Sequence, residues 1–186
     1  MRWLIALVLC ISVLLCGCVG NSNPIDNAIS LRDKIQRSNG CNFTAQIHAD
    51  YGDKVYVFSM DCSFDKEGNM IFTVIKPDSI SGISGKVSSQ GGAITFDDKL
   101  LAFQTLAEGE ITPVAAPWIL IKTVRSGYIR ACTDGDGDYQ IEIDDTYDAN
   151  SLRINIFVEN DLPVSGEIFW KGRRALTIAI ENFNLL

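Results

Sequence analysis

The string Asp134-Gly135-Asp136-Gly137-Asp138 sets three carboxylates one residue apart. That spacing gathers a hard cation such as calcium in the first half of an EF-hand loop. The match ends there: Tyr139 stands at the sixth position, where glycine is needed, and Asp145 at the twelfth, where glutamate is needed. Asp134, Asp136 and Asp138 therefore read as a calcium candidate or as a plain Gly-Asp hairpin with solvated carboxylates. His48 is the single histidine of the chain and falls on a polar strand face. A catalytic histidine needs a nucleophile and an orienting carboxylate, and no G-x-S-x-G or activated cysteine accompanies it. No carboxylate spacing marks glycosidase chemistry either. The expectation is a protein that is not an enzyme and takes no cofactor. Cys41 and Cys62 fall opposite each other if their hairpin turns at Tyr51-Gly52, which would put a disulfide within reach in an oxidising compartment. Two buried free thiols are the alternative, and Cys132 is odd in either case.

Three further cysteines, Cys10, Cys16 and Cys18, crowd the start of the chain. Arg2 precedes an apolar run from Trp3 to Leu15, too short for a comfortable span of about 20 residues. The run ends in Leu15-Cys16-Gly17-Cys18, which resembles the bacterial lipobox. Cleavage before Cys18 fits the small residues at −2 and −1, so 1–17 is expected to be a signal peptide. The Cys18 thiol would then carry the acyl (palmitate-type) anchor, and 18–23 would be a short linker. An uncleaved N-terminal anchor is the alternative. Either way the expected location is the extracytoplasmic face of a bacterial cell membrane. The formal charge of −7 excludes nucleic acid, whose phosphates need a basic face. Loss of Arg2 makes the mature body more acidic still, so the tether and not headgroup attraction holds it at the membrane.

Such an anchor must carry a body, and hydrophobic periodicity describes it. Pro24 to Ser38 carries Ile25, Ala28, Ile29, Leu31 and Ile35 at helical spacing, with Arg32, Asp33, Lys34, Gln36 and Arg37 on the other face. From Phe43 the period becomes two, and about ten antiparallel strands follow. Pro113 to Arg125 interrupts them with a second helical pattern. Strands that follow strands without crossover helices exclude a parallel α/β fold. The chain is therefore expected to be mainly β, one domain over 24–186.

A broad sheet with two helices is poorly covered unless it curls, and a curled sheet has a concave apolar face. Tyr56, Phe58, Met60, Phe72, Val74, Trp118 and Ile121 are the residues expected to line it. That face is either filled by the helices or open to a lipophilic ligand.

The order of helix, strand run, Pro-containing helix and strand run resembles the LolA/LolB/LppX superfamily of bacterial lipoproteins and lipoprotein carriers. The features that carry the resemblance include Ile25 to Ser38, the strand ending at Lys76-Pro77, Pro113 to Arg125, and Leu162-Pro163 with Ile168-Phe169-Trp170 and Asn182-Phe183. It implies a curved antiparallel sheet forming an incomplete half-barrel, covered by an N-terminal helix and one mid-chain helix. It also implies an acyl-bearing ligand, a lipid or a lipoprotein, held by burial in the groove. Other relatives are implied to dock protein partners, such as an envelope or spore-cortex enzyme, and that alternative stays open.

Overall fold

The computed structural model describes residues 24–97, 99–107, 110–134, 138–148 and 151–186. The expected signal peptide, Cys18 and the linker lie outside the described residues, as does Asp136. Helix α1 spans Pro24–Arg37. Strands β1 (Gly40–Asp50), β2 (Val55–Asp65), β3 (Met70–Lys76), β4 (Ser84–Ser88), β5 (Gly91–Phe96) and β6 (Lys99–Phe103) follow. A small ribbon of β7 (Leu106–Ala107) and β8 (Glu110–Ile111) leads into α2 (Ala116–Ser126). The chain closes with β9 (Tyr128–Asp134), β10 (Asp138–Asp144), β11 (Arg153–Glu159), β12 (Leu162–Trp170) and β13 (Arg173–Leu185).

Eleven strands form one antiparallel sheet in the order β6-β5-β4-β3-β2-β1-β13-β12-β11-β10-β9. The fold is mainly β, an open sheet with both helices packed on it, as its period-two alternation requires. The first and last long strands meet at the centre, where Ile47 pairs with Ile178. This closes the chain on itself and leaves β6 and β9 as the two edges.

One face of the sheet buries Phe43, Ala45, Ile47, Met60, Phe64, Ile141, Ile154, Ile156 and Ile168. Helix α2 lies on that face and is buried nearly all round, through Trp118, Ile119, Leu120, Ile121 and Val124. Such a helix belongs to a core interior and not to a surface. It comes so close to β12 that a Cβ on Gly166 would sit 2.2 Å from Leu120 Cδ1. Helix α1 covers β9 and the end of α2 through Ala28, Leu31 and Ile35. Ile25 and Ile29, expected in its buried stripe, are exposed instead. The buried stripe is the narrower one because the helix meets mainly the edge strand β9 and helix α2, with a smaller contact to β1.

The hairpin between β1 and β2 corrects the expected register. Cys41 pairs with Phe64, and Cys62 pairs with Phe43. The turn lies one residue further along than expected, with the Tyr51 N–H donating to Lys54 O at 3.0 Å. Asp50 Oδ1 accepts the Gly52 N–H at 2.8 Å, and Gly52 takes a φ of +96° that favours glycine. Cys41 and Cys62 thus share a face but stand on a diagonal, and both are free thiols. A diagonal separation of about 7–8 Å exceeds disulfide geometry.

Candidate functional site

The concave side of the sheet is where the sequence places a groove, and α2 occupies it. Three sets of hydrogen bonds hold the helix there. Trp118 Nε1 donates to Gly68 O at 2.8 Å, and Arg125 donates to Lys66 O at 2.9 Å, both in the turn after β2. Arg32 of α1 donates from Nε to Val124 O and from Nη2 to Gly127 O, each at 2.7 Å. Gln36 adds a bond to Arg125 O at 2.6 Å. The carbonyls at a helix C-terminus lack intrahelical partners, and here two side chains of α1 supply them. Arg32 and Gln36 are therefore not merely the solvated face that helical spacing assigned to them.

Six of the seven expected lining residues, Phe58, Met60, Phe72, Val74, Trp118 and Ile121, are at most 7% exposed. They pack against each other and against α2 as core. Tyr56 is 44% exposed at the rim, where its ring meets Tyr51 edge-on at 6.1 Å. The Tyr51 hydroxyl donates to Ile111 O and so ties the β7–β8 ribbon to the first hairpin. Burial, with the nearby Glu110 and Tyr56, pushes the Tyr51 phenol up to about 12.

A cavity of about 240 Å³ remains beside α2, lined by Ile111, Trp118, Lys122, Thr123, Asp145 and Leu152. Drug-sized ligands occupy about 300–1,000 Å³, so the space is small. A second concavity, of about 680 Å³, lies on the opposite face of the sheet across β1 to β6. Sequence periodicity marks that face only as solvent-facing, because its shape arises from the coiling of six strands together.

The far end of the sheet is an open edge with exposed apolar side chains. Strand β6 pairs with β5 through Thr95↔Leu100, Ile94↔Leu101 and Gly92↔Phe103, and among the described residues it has no strand on its other side. Leu100 and Leu101 point to opposite faces and are 71% and 66% exposed, and Phe96 at the end of β5 is 54% exposed. Natural edge strands are usually blunted by a charge, a proline, a bulge or a covering element. Here Lys99 at the first position is the only such device in β6.

The other expected chemistry falls apart spatially. His48 is exposed on β1, opposite Val57. Asp134 and Asp138 flank the β9–β10 hairpin, and Asp134 Oδ1 accepts from Asn27 Nδ2 at 3.1 Å. Among the described residues no three His, Cys, Asp or Glu side chains come together as a metal site. Burial pushes the Cys41 thiol up to about 12 despite Arg125, and raises Cys62 as well, which makes both poor nucleophiles. Among the described residues no helix is long and apolar enough to cross a membrane.

No family model matches the chain, and no curated protein matches it in sequence. Solved structures do. The chain is similar to a LolA superfamily protein of Nitrosomonas europaea, at 9% identity and a TM-score of 0.46, over 86% of this chain and 93% of that one. It is similar to lipoprotein LppX of Mycobacterium tuberculosis, at 11% identity and a TM-score of 0.42, over 87% and 93%. It is also similar to a chain of the CwlD amidase complex with the GerS lipoprotein of Clostridioides difficile, at 13% identity and a TM-score of 0.41, over 88% and 96%. At such identities the likeness is one of fold, and it extends over most of the chain.

Proposed function

We propose that the protein is a non-enzymatic lipoprotein, tethered at the extracytoplasmic face of the membrane through Cys18, that docks another envelope protein by strand addition at β6. The observation that carries this reading is the open, apolar edge formed by Leu100, Leu101 and Phe96. A strand added there satisfies the outward backbone groups of β6, and its alternate side chains meet Leu100 on one face and Leu101 on the other. The filled concave side points the same way, since six of the residues that would hold an acyl chain are engaged with each other and with α2. Affinity capture of the full-length lipoprotein from its native membrane tests the reading. One dominant protein should be recovered, and it should be lost with Leu100→Lys/Leu101→Lys. Recovery that is indifferent to this pair contradicts docking at β6.

A second reading is an acyl-bearing lipophilic ligand on the concave side. The cavity beside Trp118 favours it, together with the buried Thr123 hydroxyl, which has no hydrogen-bond partner among the described residues. Such a ligand would need α2 to swing outward and release Trp118 from Gly68. Native mass spectrometry of the full-length protein separates the two readings. A stoichiometric lipid beyond the covalent anchor supports the second, and its absence after gentle extraction removes it.

A further inference from the structure

The outer face of the sheet divides into two chemically different halves. Over β9 to β12 its arginines are ion-paired: Arg130 reaches Glu142 at 3.3 Å and Asp144 at 3.2 Å, and Arg153 reaches the same pair at 3.4 and 3.1 Å. Arg174 closes on Glu167 at 2.6 Å. Over β1 to β6 ion pairing thins to Asp50 at the end of β1, which Arg173 approaches at 3.8 Å, and the register builds a straight row across the strands. Thr44 pairs with Asp61, Asp61 with Thr73, Thr73 with Ser84, Ser84 with Thr95, and Thr95 with Leu100. A neighbouring row runs Asn42, Ser63, Ile71, Lys86 and Ala93.

These two rows floor the concavity of about 680 Å³. Thr44 Oγ1 donates to Asp61 Oδ1 at 2.8 Å, which fixes that carboxylate. The side chains of Asn42, Ser63, Thr73, Ser84 and Thr95 make no hydrogen bond to any described residue. Unengaged hydroxyls and amides thus converge on one hollow, with one carboxylate and one ammonium leaving it without net charge. At about 4.8 Å per strand the row from Thr44 to Thr95 runs roughly 19 Å. Exposed Ile71 and Leu100 offer apolar surface along it.

We propose that this outer face is a carbohydrate-binding groove that takes a neutral oligosaccharide across strands β1 to β5. Sugar hydroxyls both donate and accept, which suits a strip of Ser, Thr and Asn side chains able to do the same. The C–H faces of the rings would lie on Ile71 and Leu100. The floor, without net charge, disfavours anionic polymers, and its polar rows disfavour an acyl chain, which would strip water from five unpaired side chains with nothing in return. The saccharide lies on the sheet face and needs no edge backbone, so this site shares only the Leu100 side chain with strand addition at β6.

Titration calorimetry of the full-length protein in phospholipid nanodiscs, against chitotetraose, cellotetraose and mannotetraose, tests the proposal. At least one should bind in the submillimolar range, and Thr73→Val/Ser84→Ala/Thr95→Val should weaken it roughly tenfold or more. Arg130→Ala, on the ion-paired half, should leave it unchanged. Thr95→Val alone, at an exposed position, gives a smaller loss in the same direction should the triple variant fold poorly. Absence of binding by all three at millimolar concentration overturns the proposal. So does binding that the row variants leave untouched, or a groove that takes up an acyl chain or a peptide in their place. Capture of the β6 partner should survive the row variants, so failure of one proposal leaves the other standing.

Discussion

At Arg32 one side chain joins the two helices, since its guanidinium caps α2 while its stem belongs to α1. Arg32→Ala leaves two part-buried carbonyls without their charged donor and should cost about 2 kcal/mol in chemical denaturation. Gly166 is a second such point. Gly166→Ala drives a methyl into Leu120 and should cost about 1–3 kcal/mol by overpacking. Combined with Leu120→Ala it should cost less than the sum of the two single changes, a coupling that a double-mutant cycle reads directly. Asp65 lies in the turn that receives Trp118 and Arg125. Burial pushes its carboxyl up, but hydrogen bonds from the Asn69 side chain and from the Asn69 and Gly68 backbone outweigh that and hold its pKa below the ordinary carboxylate value. A carboxyl depressed in the folded state stabilises above its unfolded pKa of about 3.9 and loses that contribution as pH falls through the folded value. The stability advantage over Asp65→Asn should therefore be full near neutrality and disappear at strongly acid pH, as denaturation curves across that range will show. Buried Cys41 and Cys62 should react slowly with a thiol reagent in the native protein and fully in denaturant without reductant.

Elements were more legible in the sequence than their registers. Alternation from Phe43 to Tyr51 and from Val55 to Asp65 reveals two half-buried strands, because a period of two follows from pleat geometry alone. Their pairing depends on where the turn closes, and the Asp50 carboxylate on the Gly52 N–H moves that point by one residue. The buried faces are unaffected, because the pairing slides by two positions and parity is kept. Only the Cys41–Cys62 opposition is lost. The β7–β8 ribbon was illegible, since two residues per strand carry no period. Helix α2 was visible as a helix. That it fills the concave side could not be read locally, because Gly166, Gly68 and Arg32 make room for it and pin it from distant parts of the chain. The outer rows from Thr44 to Thr95 were equally hidden, since alternation marks each residue as solvent-facing without revealing which ones line up across five strands. At β6 the exposed Leu100 and Leu101 contribute little to the core, so Leu101→Lys should leave thermal stability nearly unchanged while it blocks strand addition.

The whole molecule is an acidic body, and the adjacent Leu100 and Leu101 on the edge strand β6 are among its most exposed apolar side chains. The proposed anchor at Cys18 would concentrate such a body at a membrane without making its surface adhere there, given a formal charge of −7. Cys18→Ser should therefore move the protein from the membrane to the soluble fraction and leave its folding intact, as fractionation and circular dichroism will show. On the proposed reading, docking would be a surface event at β6. A photocrosslinking amino acid placed at position 101, and for comparison at exposed position 48 on β1, measures this in native membranes. A single protein adduct is predicted at position 101 and none at 48, and it should vanish with Leu100→Lys. A lipid adduct at 101, or equal protein adducts at both positions, would contradict strand addition at β6 as the protein's function.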